Sequence, residues 1–283
     1  MLINAIELLK EAKEKKIAIP QLNINNLEWT KYILEECNEL NNPVILGVSE
    51  GAAKYMGGYP VVFAIVSSLI ESLNIKIPVV LHLDHGSSIE SCMKAIDAGF
   101  TSVMIDASKY SLAENIEITN KVIQYAKLKN VSVEAEVGKV GGQEDGSVEE
   151  LAYAKVADCV EFVKGTNVDF FAPALGSVHG FYNGEPKLDF VRMEEIKNLC
   201  NIPLVLHGGT GIPDNMISKA ISCGISKVNI NTELQDVWSK SVREFVIKND
   251  DVYDPRKIIG SGEHSIKAAI KDKIDLFNNR LGE

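Results

Sequence analysis

Short apolar runs alternate with amphipathic segments along the whole of this 283-residue chain. Each run is rich in valine, isoleucine and leucine, which favours a strand buried on both faces. Each following segment repeats its apolar residues every three or four positions, which is typical of an α-helix packed on a sheet. The sequence therefore predicts eight strands with helices between them; the strands are residues 17–23, 43–49, 78–84, 102–107, 131–137, 168–175, 202–208 and 227–231.

Eight successive strand–helix units predict an α/β fold, specifically the (β/α)8 TIM barrel. An open, doubly wound sheet is the alternative, and it is less favoured because no GxGxxG motif follows the first strand. The chain length suits a barrel, and no linker, low-complexity tract or change of composition divides the sequence. We therefore predict one TIM-barrel domain over residues 1–283.

Composition narrows the classes of function. The chain is 46% hydrophobic and 24% charged, and it has no apolar run long enough to span a membrane. Its net charge of −10 argues against binding to nucleic acid or to an anionic membrane, both of which favour basic surfaces. The N-terminal segment is amphipathic without a secretion signal, and the five cysteines form no CxxC pair. These features predict a cytoplasmic protein with reduced, buried thiols.

Polar residues gather where the predicted strands end. The third strand lies in the segment VVLHLDHG at residues 79–86, which turns from apolar residues to His82, Asp84 and His85. Other strands also end in asparagine, histidine or acidic residues. In a TIM barrel the carboxyl ends of the strands share one face, and that face carries catalysis. The pattern therefore predicts an active site there.

Three histidines follow three different strands, and each precedes a glycine. They are His85, His179 and His207. A single histidine of this kind is more often a hydrogen-bonded structural residue, but three in equivalent positions favour an open metal site of the kind that holds catalytic Zn²⁺. His82 is expected to point into the barrel as a packed residue, and His264 is expected on the surface or at a helix start.

Carboxylates surround the predicted metal site. Asp84 precedes a predicted ligand, and we favour a proton carrier over an orienting role for it. Glu134 and Glu136 lie on a strand that is otherwise buried, so they indicate a nearby metal or, alternatively, an internal salt bridge. The glycine-rich segment 138–154 is longer than a barrel connection needs and predicts a lid or an insertion that carries Glu144 inward.

Two segments after the seventh and eighth strands predict a phosphate site. Residues 207–215 (HGGTGIPDN) and 229–233 (NINTE) occupy the place where barrels often bind phosphate with backbone N–H groups and a helix start. The glycines allow close approach, and Asn231 and Thr232 add side-chain donors. Arg256, in YDPRK, is a candidate for a second phosphate.

Motifs spread over the chain match a known family. The segments HLDHGSS, SVEAEVGKVGGQEDG, APALGSVHG, LVLHGGTGIP, KVNINTE and YDPRK resemble the class II, zinc-dependent fructose-bisphosphate aldolases, in the short bacterial branch shared with tagatose-bisphosphate aldolases. The resemblance implies a glycolytic and gluconeogenic lyase that reversibly cleaves fructose 1,6-bisphosphate to dihydroxyacetone phosphate and glyceraldehyde 3-phosphate through a zinc-stabilised enediolate. Tagatose 1,6-bisphosphate or another ketose phosphate is the alternative substrate, and a zinc hydrolase is less favoured.

The resemblance also assigns roles to residues. It implies His85, His179 and His207 as zinc ligands with support from Glu136, Asp84 as the acid/base at the C4 hydroxyl, and Glu144 as the residue that exchanges the C3 proton. It further implies a monovalent cation, Na⁺ or K⁺, and a homodimer or homotetramer. The implied substrate contacts are Asn23, Ser49, Gly180, Gly208, Gly209, Thr210, Asn229, Asn231, Thr232 and Arg256.

A Schiff-base aldolase is the rival mechanism. It would need a buried lysine within a strand. Lys227 is the nearest candidate, and we expect it just before the eighth strand, where its amine need not face the site. Lys109, Tyr110 and Lys139 depart from the common family pattern in loops, where they bear on selectivity rather than on the metal triad.

Overall fold

Eight parallel strands close into a barrel in the computed structural model, which describes residues 1–144 and 147–279 but not the side chains of 143, 144 and 147–149. Every barrel strand pairs in parallel with both neighbours, and the last pairs with the first. The predicted (β/α)8 architecture is confirmed. The strands are β1 Ile19–Asn23, β2 Val44–Val48, β3 Val79–Gly86, β4 Ser102–Ile105, β5 Ser132–Val137, β6 Gly141–Glu144, β7 Ser147–Glu149, β8 Phe170–Pro173, β9 Val178–His179, β10 Leu204–Leu206 and β11 Ile225–Ile230.

The barrel order is β1-β11-β10-β8-β5-β4-β3-β2, so β6, β7 and β9 lie outside it. Helices surround the barrel and pack their apolar faces on the outward side chains of the strands. They are α1 Ile6–Lys15, α2 Leu27–Glu39, α3 Glu50–Met56, α4 Tyr59–Ser72, α5 Ile89–Asp97, α6 Leu112–Leu128, α7 Val156–Thr166, α8 Phe190–Cys200, α9 Asp214–Ser222, α10 Thr232–Lys248, α11 Pro255–Gly260 and α12 Glu263–Phe277.

The barrel interior has its own apolar cluster at the amino ends of the strands. Val80, Phe170 and Val205 point inward there and are fully or almost fully buried. Helix α1 covers this end and packs Leu9 on the cluster. Because successive residues of a strand alternate between faces, the next inward positions lie toward the opposite end, where the polar residues are.

Side-chain caps fix where helices begin near the carboxyl ends of the strands. The Ser49 hydroxyl accepts a hydrogen bond from the Ala52 N–H at 3.1 Å and begins α3 directly after β2. Ser88 caps α5 in the same way shortly after β3. Such caps satisfy backbone donors that a helix start leaves unpaired. They also hold short strand-to-helix connections in one position at the rim of the site.

The glycine-rich segment is a small sheet. Strands β6 and β7 are antiparallel, and β6 pairs in parallel with β9 through Gly141–Val178 and Gly142–His179. We expected glycines here to permit swinging, but Gly142 has another role. Its φ is +98°, and a Cβ at this position would lie 2.2 Å from the His179 carbonyl oxygen. Gly142 therefore lets β6 approach the backbone of a predicted metal ligand closely.

Two further expectations concern the thiols and the membrane. Cys37, Cys92, Cys159 and Cys223 are buried, Cys200 is half-buried, and all five are free thiols. Burial raises the pKa of the Cys37 thiol well above its usual value, which keeps it protonated. Across residues 1–144 and 147–279 no single helix has both the length and the apolarity to cross a membrane; α3 and α4 reach that threshold only together, with a 78° bend between them.

Candidate active site

The three predicted metal-binding imidazoles meet at the carboxyl end of the barrel. Ring centroids of His85 and His207 are 4.6 Å apart, those of His85 and His179 are 5.1 Å apart, and those of His179 and His207 are 5.8 Å apart. One nitrogen from each ring lies within 4.8 Å of the other two. They are separated by long stretches of sequence, so the rings meet only because the folded barrel brings β3 and β10 close to β9, which lies outside it.

His85 reaches this position through an irregularity in β3. The pairing of β3 with β4 shifts register between Leu83 and Gly86, and His85 has a φ of +50°. A side chain in the left-handed region is uncommon, and a bulge of this kind turns a side chain away from its regular direction. Asp84 and His85 can therefore both face the site, although neighbouring residues of a regular strand face opposite sides.

Carboxylates orient two of the imidazoles. His85 Nδ1 lies 2.9 Å from Asp106, and His207 Nε2 lies 2.8 Å from Glu134. These contacts leave His85 Nε2 and His207 Nδ1 facing each other at 2.8 Å. When His85 Nδ1 and His207 Nε2 carry the protons, the lone pairs of His85 Nε2 and His207 Nδ1 point at each other. Only a shared proton or a cation between them can stabilise that arrangement. This donor set of three imidazoles with carboxylate partners fits a divalent metal such as zinc.

Asp84 lies beside this group and is almost fully buried. One carboxylate oxygen accepts a hydrogen bond of 2.9 Å from the Asn23 amide, and the other has no hydrogen-bond partner within the described residues. Burial acts to raise the pKa of Asp84, but electrostatic interactions with its neighbours, among them His85 and Lys227, hold it well below its usual range. Asp84 is thus an ionised carboxylate with one unsatisfied oxygen, which suits a proton acceptor.

Glu136 forms a second potential metal-binding group with His85 and Asp106. One of its oxygens accepts from the Val140 N–H at 3.2 Å, and the other, also buried, lacks a hydrogen-bond partner in the described part of the chain. Burial and the neighbouring charge of Asp106 raise the pKa of Glu136 well above its usual value. A cation nearby would reverse this effect, so the residue suits support of a metal site.

Lys227 lies where our sequence interpretation did not put it. It is within β11, not before it, and it is fully buried inside the barrel. Its Nζ atom donates to Glu134 at 2.8 Å and to Asn229 at 2.9 Å. The expectation that Lys227 precedes the strand is therefore wrong, because β11 starts two residues earlier than the sequence suggested. The lysine is held in an ion pair, which is not the arrangement of a free nucleophilic amine.

The remaining interior histidine, His82, is packed as expected. It is fully buried, with Nδ1 2.8 Å from the Ser102 hydroxyl and Nε2 3.5 Å from Glu134. Burial, helped by the Lys227 charge, lowers the pKa of His82 to about 3. Burial also lowers the pKa of His207, although the hydrogen bond with Glu134 opposes this. Glu134 itself stays ionised: burial acts to raise its pKa, but Lys227 and His207 lower it to about 2.

A cavity of about 790 Å³ opens above the imidazoles. It is lined by backbone and side chains from strand ends and from the start of α10, including most of the predicted substrate contacts. Sequence reasoning did not assign Tyr182, Asn183 or Gln235 to this cavity, since no motif marks them. The predicted residues that line it are Asn23, Ser49, His179, Gly180, Gly208, Thr210, Asn229, Asn231 and Thr232.

Tyr182 joins two loops of the cavity. Its hydroxyl accepts from the Val178 N–H at 3.1 Å and donates to the Gly208 carbonyl at 3.0 Å. Gly208 has a φ of +64°, and a Cβ there would lie 2.2 Å from the Val178 carbonyl oxygen. The loops that carry His179 and His207 are thus held together by a hydroxyl and by a close backbone approach that only glycine permits.

Two predicted site residues do not line the cavity, and the side chain of a third is not described. Gly209 does not line the cavity, because it packs on β11 and donates its N–H to the Asn229 carbonyl at 3.0 Å. Arg256 is exposed at the start of α11, and its guanidinium pairs with Asp254 at 2.8 Å instead of reaching the cavity. Glu144 belongs to β6, but its side chain lies outside the described residues. Their assigned roles remain predictions.

Comparisons with known proteins identify the family of this chain. Residues 3–280 match the family model described as fructose-bisphosphate aldolase class-II. The fructose-bisphosphate aldolase of Geobacillus stearothermophilus is 57% identical over 279 residues, covering 98% of this chain and 97% of the relative. That of Staphylococcus epidermidis is 56% identical over 277 residues, with the same coverage.

Solved structures show the same relationship. The YdjI aldolase from Escherichia coli K12 superposes with a TM-score of 0.85 at 30% identity, covering 98% of this chain and 97% of that one. Fructose-bisphosphate aldolase from Campylobacter jejuni gives a TM-score of 0.84 at 25% identity, covering 98% and 95%. The family model and the relatives both extend over nearly the full chain, and this chain belongs to the class II fructose-bisphosphate aldolase family.

Proposed function

We propose that this chain is a fructose-bisphosphate aldolase that reversibly cleaves fructose 1,6-bisphosphate to dihydroxyacetone phosphate and glyceraldehyde 3-phosphate, with one catalytic Zn²⁺. The observation that carries the proposal is the convergence of three imidazoles beside a buried, ionised Asp84 in a cavity large enough for a phosphorylated sugar. Relatives 55–57% identical to the chain are named fructose-bisphosphate aldolase, which supports the choice of substrate.

The metal would be held by His85, His179 and His207. Zinc supplies a Lewis acid when bound, and it stabilises the negative charge that develops on the ketose as the C3–C4 bond breaks. Asp106 and Glu134 accept hydrogen bonds from the ligand rings and fix the directions of His85 and His207. Glu136 adds a buried carboxylate on the same side.

Proton transfer falls to two carboxylates. In the cleavage direction Asp84 takes the proton of the C4 hydroxyl on its unsatisfied oxygen, while Asn23 holds the other oxygen in place. Glu144 returns a proton to C3 after the aldehyde has left, a role that rests on the family resemblance. Each such residue contributes roughly 10²–10⁴-fold to the rate in enzymes of this kind.

The phosphate of the dihydroxyacetone half binds near the start of α10. Asn231 and Thr232 line the cavity there, together with the backbone of Gly180 and Gly208. A helix start offers unpaired N–H groups and a positive dipole end, which attract an anion even in a protein of net charge −10. Asn231 Oδ1 is buried without a hydrogen-bond partner among the described residues, so this acceptor is left for a hydroxyl group of the ligand.

Four further properties belong to the proposal: a monovalent cation, Na⁺ or K⁺, near the phosphate; assembly as a homodimer or homotetramer; a role for Arg256 at the second phosphate; and location in the cytoplasm. Light scattering measures the oligomer directly. Turnover at a series of Na⁺ and K⁺ concentrations, with a large organic cation as the control, tests the cation.

Arg256→Ala should raise KM for the bisphosphate, and an unchanged KM would remove Arg256 from the site.

The central experiment compares steady-state cleavage of fructose 1,6-bisphosphate and tagatose 1,6-bisphosphate by the purified protein. We expect faster cleavage of the fructose substrate, loss of activity with a chelator, and recovery when Zn²⁺ is restored. Borohydride with substrate should trap no covalent adduct. Full activity in metal-stripped protein, or a trapped adduct at Lys227, would contradict the proposal. Preferential cleavage of the tagatose substrate would correct the substrate while leaving the metal mechanism in place.

A further inference from the structure

We infer that Lys227 is a positioning residue, which sets the direction of the hydrogen bonds made by two groups that face the cavity, His207 and Asn229. The inference rests on the proposed metal site and adds a residue to it. Lys227 contacts one residue of the cavity lining, Asn229, through a hydrogen bond. It acts on His207 indirectly, through Glu134.

The hydrogen bond from Lys227 to Asn229 orients the Asn229 amide. A lysine ammonium can only donate hydrogen bonds, so the oxygen of the Asn229 amide must face Lys227, at 2.9 Å. The NH₂ group of the same amide is then forced toward the cavity, where it lies 3.4 Å from His207 Nδ1. Asn229 therefore presents a donor, not an acceptor, to whatever occupies the cavity. Without Lys227 either orientation of the amide would be possible.

The ion pair of Lys227 with Glu134 determines which ring nitrogen of His207 carries the proton. Lys227 occupies one oxygen of Glu134 at 2.8 Å, and the other oxygen lies 2.8 Å from His207 Nε2. An ionised carboxylate can only accept, so Nε2 must carry the proton of the neutral imidazole. Nδ1 then has the lone pair, and this is the atom that faces His85. The ring is thus prepared to bind a metal through Nδ1 before any metal arrives.

A purely structural role does not explain such an ion pair well. Lys227, Glu134 and His207 all have side chains that are fully or almost fully buried. Buried ion pairs cost desolvation, and apolar residues of similar volume often replace them without loss of stability. The opposite end of the same barrel is filled with apolar side chains such as Val80 and Phe170. A charged pair at this level is explained by what it does to its two neighbours.

The test uses Lys227→Met, which keeps length and removes the charge, with Lys273→Met as the control. Lys273 is also poorly exposed and ion-paired, with Glu233 at 2.9 Å, but neither residue of this pair lines the cavity. Competition with a chelator gives the affinity for Zn²⁺, and ¹⁵N-histidine NMR of the metal-free protein identifies the protonated nitrogen of His207. We expect Lys227→Met to lower zinc affinity roughly 10–100-fold. We also expect it to give a mixture of His207 tautomers, whereas Lys273→Met should change neither.

A second variant covers the case in which Lys227→Met fails to fold. Lys227→Met combined with Glu134→Gln removes both charges, and the amide introduced by the second substitution can offer His207 either its oxygen or its NH₂ group. Both tautomers should again appear. A single Nε2–H tautomer with wild-type zinc affinity in either folded variant would overturn the inference. Failure of the proposed function is distinct, since it would show as wild-type protein that binds no zinc or cleaves no fructose 1,6-bisphosphate.

Discussion

The two ends of the barrel interior are built by the same strands and have opposite characters. At the amino ends, Val80 of β3 and Phe170 of β8 pack with Leu9 of α1 into an apolar cluster. Two and four residues further along β3 come His82 and Asp84, both buried and polar. One strand therefore contributes to stability at its start and to chemistry at its end, as the TIM-barrel fold allows.

The two ends of the barrel also differ in what they contribute to the stability of the fold. The apolar end gains free energy from the burial of its side chains. The polar end holds buried oxygens of Gln21, Asp84 and Glu136 that have no hydrogen-bond partner among the described residues. Such groups cost about 1–3 kcal/mol each when they remain unpaired. The carboxyl end is thus organised for a ligand at the expense of stability, and the amino end offsets that expense.

The largest expected effect comes from removing a metal ligand. His179→Ala should lower turnover of fructose 1,6-bisphosphate by about 10⁴-fold or more, because the loss of Lewis-acid stabilisation is worth several kcal/mol. The melting temperature of the metal-free protein should change little. Kinetics, zinc content and calorimetry measure the three quantities. His264→Ala is the control, since His264 is exposed in the first turn of α12. Retained zinc and turnover in His179→Ala would refute the ligand assignment.

The next effect separates proton transfer from metal binding. Asp84→Asn keeps the shape and the hydrogen bond to Asn23 but cannot accept the C4 proton, so turnover should fall roughly 10²–10⁴-fold. Zinc content should stay close to that of the wild type. Asp272→Asn, at an exposed position of α12, is the matched control for loss of one negative charge. Wild-type turnover in Asp84→Asn would show that another group handles this proton.

The apolar end should respond in the opposite way. Leu9→Ala removes a fully buried side chain that closes the barrel, so it should lower the free energy of unfolding by about 2–5 kcal/mol. Turnover per folded molecule should remain unchanged, because the site lies at the other end. Denaturant unfolding and active-site titration measure the two effects. A large loss of turnover in fully folded Leu9→Ala would mean that the two ends are coupled.

The smallest effect tests the close approach of β6 to β9. Gly142→Ala and Gly184→Ala both place alanine at a positive φ, near +100°, but only the first puts a Cβ against backbone, 2.2 Å from the His179 oxygen. Positive-φ alanine costs of the order of 1–2 kcal/mol in either case. Gly142→Ala should cost more and should also weaken zinc binding. Equal stability and equal zinc affinity of the two variants would show that this approach does not position His179.

Much of the architecture was predictable from the sequence because burial imposes a pattern on it. Strands buried on both faces need unbroken apolar runs, and the observed β2 and β5 begin within one residue of the predicted starts. The convergence of His85, His179 and His207 was predictable because the fold places all strand ends on one face. A resemblance between motifs was needed to assign the C4 hydroxyl proton to Asp84 and the C3 proton to Glu144.

The rest depended on contacts between distant segments, which local patterns do not encode. Nothing in the sequence around Gly142 reveals that β6 will pair with β9. Lys227 looked like the polar residue before a strand, because a charged side chain inside a barrel is costly until Glu134 is placed opposite it. The turn of the chain at His85 was equally hidden, since it depends on a register shift between β3 and β4 that the local sequence does not specify.

The irregularity in β3 has a consequence for how the chain tolerates change. Asp84 and His85 share a face only because the strand carries extra backbone between residues 83 and 86. Deleting a single residue there would restore regular alternation, and one of the two side chains would turn toward the surrounding helices while the core remained intact. The number of residues in this stretch, and not only their identity, therefore fixes which side chains reach the site.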